Sequence, residues 1–138
     1  MTSTVQRVAQ IFGVVFLIIG LAGMFVPGGT SMRSEMEDAP LLLGLFPVNL
    51  AHNLVHLLFG AWGLVASRRF GAAVTYARIA GIAYLLLAVL GFFMPELPGL
   101  MPIGGYDIWL HLALGIVLSV VGFTAREHVR TADGTYTS

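Results

Sequence analysis

The sequence predicts an all-α fold: a four-helix transmembrane bundle made of two parallel-repeat helical hairpins, with both termini cytoplasmic. Three observations predict it. The first is composition. Of 138 residues, 57% are hydrophobic and 10% charged, against roughly 25% charged in soluble domains, and the mean hydropathy is +0.88. The second is spacing. Four apolar stretches, about 8–26, 48–67, 72–94 and 107–125, each approach the roughly 20 residues that cross a bilayer core about 30 Å thick. The third is an internal repeat, which pairs the first stretch with the third and the second with the fourth.

The first helix, Val8 to Val26, ends at Pro27, whose missing amide donor does little harm at a helix end. Arg7 before it imitates the charged start of a signal peptide. Its likeness to the third helix, which cannot be a signal, argues for a mature span. The loop from Gly28 to Pro47 is long. Its APLLLGLF segment (Ala39 to Phe46) is too short and too broken by Pro40 and Gly44 to span, and is expected to lie along the membrane surface. The second helix, Val48 to Ser67, carries His52 and His56. A tight turn at Arg68 to Gly71 leads to the third helix, Ala72 to Met94. There Ala73, Ala77 and Gly81 form a small-xxx-small series that lets backbones approach; Ala9 and Gly13 are the equivalents in the first. After a loop from Glu96 to Tyr106, the fourth helix, Asp107 to Ala125, carries Asp107 and His111. The tail TADGTYTS is polar and expected to fray. These elements leave 1–138 as a single integral membrane domain.

The repeat is concrete. Shifted by 68 positions, Ala9 to Pro27 lies over Ala77 to Pro95, with identities at Ala9/Ala77, Ile11/Ile79, Gly13/Gly81, Leu17/Leu85, Gly23/Gly91, Phe25/Phe93 and Pro27/Pro95. The shared Gly-x-Phe-x-Pro ending is the most telling part. Helices two and four align with a shift of 55, which places His56 on His111, Gly60 on Gly115 and His52 on Asp107. Both hairpins run out and back, so the repeat is parallel and its pseudo-two-fold axis lies along the membrane normal.

Orientation follows from the arginines, since lysine is absent. Arg7, Arg68, Arg69, Arg126 and Arg130 flank one side. Arg78 snorkels towards it from two turns inside helix three. Arg33 alone lies opposite, among Glu35, Glu37 and Asp38. The positive-inside rule then makes the termini side cytoplasmic, in a multi-pass membrane protein. Trp109, Tyr106 and Tyr84 suit the outer interface.

Ionisable groups inside a span are costly and mark a site. Positions four apart share a helix face. His52 therefore points with His56, and Asp107 with His111; the repeat symmetry turns both pairs towards the bundle axis, where they are expected to converge near the outer mouth, with Asn53 peripheral. Three readings of that cluster stand side by side. One is a structural polar network, with Asp107 paired to His56 or His111. The second is a metal site: His52, His56, Asp107 and His111 satisfy a tetrahedral ion such as Zn²⁺. Met24, Met32, Met36, Met94 and Met101 on the same side suit copper(I). The third is a haem-type tetrapyrrole on His56 and His111, with Gly60 and Gly115 leaving room for the macrocycle and Asp107 supporting His111.

Cysteine is absent, which excludes disulfides and thiolate chemistry. No phosphate loop, zincin helix or nucleophile elbow is present, and no basic groove for nucleic acid. His128, beside Glu127, reads as solvated. The run VNLAHNLVHLLFGAWGL and the later GGYDIWLHLALG resemble a bacterial membrane family known as domain of unknown function 4383. The resemblance spans about Ala9 to Phe123 and is most specific at His52 to Gly60 and Asp107 to Gly115. It implies a small bacterial inner-membrane protein and no particular activity. The sequence therefore reads as a non-catalytic scaffold or accessory subunit, with the lipid bilayer and either a membrane protein partner or a second copy as neighbours. The alternative is a metal- or tetrapyrrole-binding redox or metal-handling protein using the same residues. A transporter is a third possibility.

Overall fold

A computed structural model describes residues 2–127, 129–130 and 136–137. It contains four helices: α1 (Thr4–Phe25), α2 (Leu50–Ala66), α3 (Phe70–Phe93) and α4 (Tyr106–Thr124). Three two-residue strand pairs accompany them: β1 (Leu41–Leu42) with β2 (Phe46–Pro47), β3 (Glu96–Leu97) with β4 (Met101–Pro102), and β5 (Val129–Arg130) with β6 (Tyr136–Thr137). Strand β6 falls in the tail that the sequence leaves to fray. His128 lies outside the described residues.

Helix α1 starts four residues earlier than the hydropathy places it. Ser3 and Gln6 form a capping box there, which satisfies amides that the first turn leaves without partners. Gln6 Nε2 also donates to the Ser67 carbonyl at 3.0 Å, tying the start of α1 to the end of α2. Helices α1, α3 and α4 are long and apolar enough to cross a membrane. Helix α2 has 17 residues, about 25 Å at 1.5 Å per residue, and is the shortest. Asn49 stops it at the hairpin end by capping it, accepting from His52 N at 2.8 Å.

The repeat extends well beyond the helices. The β1–β2 hairpin lies on β3–β4 under the 55-residue shift, and each rung has its counterpart: Leu41↔Pro47 with Glu96↔Pro102, Leu42↔Phe46 with Leu97↔Met101. Gly44 and Gly99 both turn at φ +70, a left-handed conformation that glycine adopts without strain. The Val48 amide donates to the Pro40 carbonyl at 2.8 Å, and Ile103 to Pro95 at 2.9 Å. The segment expected to lie flat on the membrane is therefore the first of two matching hairpins. The difference between the shifts, 68 − 55 = 13 residues, is one insertion between Pro27 and Pro40.

Each helical hairpin is locked by glycines. A Cβ at Gly13 would stand 2.8 Å from the Leu64 amide, and one at Gly60 2.8 Å from the Leu17 amide. In the second hairpin, Gly81 meets the Ser119 amide at 2.7 Å and Gly115 the Leu85 amide at 2.9 Å. All four contacts interchange under the two shifts. Only a residue without a side chain allows such approach, which substitutes for the hydrophobic driving force missing in lipid.

Between the hairpins, α1 packs on α3 along a core that includes Ala9, Phe16, Ala73, Ala77, Ala80 and Tyr84. Tyr84 thus belongs to the core rather than to the interface, where Tyr106 and Trp109 are exposed. The remaining apolar surface, including Ile11, Ile18, Leu58, Leu86, Val120 and Phe123, points outward, as bilayer-facing residues do. Arg78 donates from Nε to the Gly122 carbonyl at 2.8 Å and lies over the Phe123 ring.

Candidate functional site

Asn49, Asn53, His52, His56, Asp107 and His111 are all buried at the hairpin end. The helical period sets the inner face of α2: His52 and His56, one turn apart, stack with ring centroids 4.5 Å apart and planes 4° from parallel. His56 Nδ1 donates to the His52 carbonyl at 3.1 Å. This places its proton on Nδ1, so the neutral ring presents a lone pair at Nε2. From α4, His111 approaches His52 at 6.5 Å between centroids, and Asp107 Oδ2 stands 3.8 Å from His52 Nδ1. The four ionisable side chains singled out from the sequence do meet.

Their pairing differs from the expected one. Asp107 faces His52, not His56 or His111, because positions 52 and 107 are repeat equivalents that confront each other across the axis. At 3.8 Å the two do not hydrogen-bond. His52 Nδ1, Asp107 Oδ2 and His111 Nδ1 are buried without a hydrogen-bond partner. Such groups cost free energy unless something satisfies them.

Aromatic rings seat the imidazoles. Phe16 meets His56 edge-on at 5.5 Å, and its counterpart Tyr84 meets His111 at 5.1 Å. Gly60 and Gly115 do not provide space beside them. A Cβ on either would fall 2.8–2.9 Å from the Leu17 or Leu85 side chain, so the room proposed for a macrocycle is filled by helix packing. Among the described residues, no group of three or more His, Asp and Glu side chains is arranged to hold a metal ion.

Two cavities border the cluster. One, about 100 Å³, is lined by Ile19, Phe46, Leu110 and Asp107 with His52, His56 and His111. The other, about 30 Å³, has Leu87, Met101 and Val55 with the same three histidines. Ile19/Leu87, Phe46/Met101 and Val55/Leu110 are repeat equivalents, so the cavities are pseudo-symmetry mates on opposite sides of the imidazoles.

Sequence reasoning missed the asparagines. Asn49 Nδ2 donates to the Arg33 carbonyl at 2.9 Å and to the Leu100 carbonyl at 2.7 Å. This joins the inserted segment and the second hairpin to α2. Asn53, expected at the periphery, is fully buried and donates to the Gly29 carbonyl at 2.9 Å. Its amide occupies the space a side chain at Gly23 would need, while in the second repeat Ile108 packs in the same way on Gly91. The signal was present: Asn49 and Asn53 stand where the second repeat has Gly104 and Ile108, and both departures serve the insertion that repeat lacks. Further bonds hold the insertion over the cluster, from Met36 N to Glu96 Oε1 at 2.6 Å and from Gly99 N to Ser34 Oγ at 3.2 Å.

Residues 6–124 match the family described as Domain of unknown function (DUF4383). The chain belongs to that family. The match covers all four helices and both halves of the cluster. No curated protein and no solved structure matches the chain.

Proposed function

We propose that this member of the family is a non-catalytic membrane protein, a scaffold or accessory subunit, whose two helical hairpins are held in register by the polar end of the bundle. The observation that carries this reading is Asn49. One buried amide bonds the inserted segment, the second β-hairpin and the first turn of α2. Arg7, Arg68, Arg69 and Arg126 at the ends away from the β-hairpins support cytoplasmic termini, in a bacterial inner membrane. The outward apolar faces leave area for a membrane protein partner or a second copy. Affinity capture from mild detergent tests this: wild type should retain a defined partner or a stable oligomer, and Asn49→Ala should lose it along with thermal stability. Capture of neither would reject the reading.

A second reading is favoured by a specific observation, the unpaired His52 Nδ1, Asp107 Oδ2 and His111 Nδ1. In it the cluster holds a ligand. Zn²⁺ or copper would use His52, His56, Asp107 and His111, drawn together to about 2.0–2.1 Å from the ion, which requires the side chains to move. A tetrapyrrole on His56 and His111 would further require Gly60 and Gly115 to separate from Leu17 and Leu85. Elemental analysis and an absorption spectrum of purified protein decide between these: stoichiometric metal favours the first and a Soret band the second.

A further inference from the structure

The two cavities differ in one respect that matters chemically. Both reach His52, His56 and His111, but only the larger is lined by Asp107. Its other lining is apolar, from Ile19, Phe46 and Leu110 to the exposed Leu43. A polar ligand would have to pass those side chains, so the route suits a molecule that already dissolves in the bilayer. The polar floor sets what its head must be. It offers one carboxyl oxygen and two imidazole nitrogens, all buried and all without partners. A hydroxyl group has one O–H to donate and two lone pairs to accept with, which complements a carboxyl acceptor beside an imidazole N–H. About 100 Å³ exceeds the roughly 10–15 Å³ that one water molecule requires and accommodates a head group whose body remains among the lipids.

We propose that the cavity between Ile19, Phe46 and Leu110 takes the hydroxyl head of a membrane-dissolved amphiphile, an alkylphenol or a long-chain alcohol. The O–H donates to Asp107, and its oxygen accepts from His111 Nδ1–H. The proposal rests on the reading of the cluster as a ligand site and names that ligand's class. The mate cavity, which has no carboxyl, does not take the head.

The test uses the full chain in lipid nanodiscs and three photoactivatable probes of matched length: a diazirine-tagged alkylphenol, the corresponding alcohol, and the corresponding alkane without a hydroxyl. Saturable labelling of peptides containing Ile19, Phe46 or Leu110 by a hydroxyl-bearing probe, at least tenfold above the alkane, is the expected result. Phenol against alcohol then identifies the source of the hydroxyl. Asp107→Leu should abolish the excess. Ile19→Trp, which fills the mouth and leaves the cluster intact, should do the same, and decides the matter if Asp107→Leu does not fold. Leu87→Trp, at the mate cavity, should leave labelling unchanged. Equal labelling by the alkane, or undiminished labelling in Ile19→Trp, would overturn the proposal. If stoichiometric metal or a Soret band accompanies that failure, the ligand-site reading survives and only the hydroxyl class falls; if neither does, both fall.

Discussion

Phe16 and Tyr84 stack at the centre of the bundle, with ring centroids 5.2 Å apart and planes 27° from parallel. They are repeat equivalents, so the pseudo-two-fold axis passes between them, and each ring supports the imidazole of its own half. Phe16→Ala should therefore cost about 3–5 kcal/mol, as for a large aromatic removed from a packed core. Equilibrium unfolding in mixed micelles measures it. Tyr84→Ala should cost about as much, and a large inequality would contradict the placement of the axis.

Glycine contacts predict a matched pair of failures. Gly60→Val and Gly115→Val should each force a helical hairpin apart, since the Leu17 and Leu85 amides cannot retreat. Both variants should lose folded yield to a similar degree, seen by size-exclusion chromatography. Normal folding of either would show that the close approach is not required.

Removing Asn49 leaves the Arg33 and Leu100 carbonyls without their donor, so Asn49→Ala should destabilise by about 1–3 kcal/mol. The inserted segment should also become a protease site first. Glu96→Gln should give a weaker version of that effect, because a neutral acceptor for Met36 N replaces a charged one. Unchanged proteolysis in both variants would show that these bonds do not hold the insertion.

His52 and Asp107 stand together without hydrogen-bonding. Replacing both by apolar residues, as in His52→Phe with Asp107→Leu, should leave the melting temperature unchanged or raise it. Unpaired buried polar groups are a cost that apolar packing removes. A fall of several degrees would show instead that the pair contributes to folding.

The helices and their pairing were legible from hydropathy and the repeated Gly-x-Phe-x-Pro, and the convergence of His52, His56, Asp107 and His111 from helical period taken with the repeat symmetry. The start of α1 was not, because the capping box of Ser3 and Gln6 lies in polar sequence that hydropathy averages away. Gly60 and Gly115 were seen, but a glycine reads the same whether it admits a ligand or a neighbouring backbone; only the positions of Leu17 and Leu85 decide. The β-hairpins were hidden by looking for the repeat in the helices alone, although Gly44/Gly99 and Pro47/Pro102 carry it on. The partner of Asp107 was missed for want of one step: equivalent positions about an axis tend to face each other.

Positions 52 and 107 face each other across the axis between the two halves. Two separate copies of one hairpin, associating as a symmetric dimer, would have to set like against like at this position, imidazole on imidazole or carboxyl on carboxyl. Joining the copies in one polypeptide released them from that identity. At equivalent positions, the juxtaposition of a base from one half with an acid from the other is closed to a symmetric homodimer and open to a fused chain.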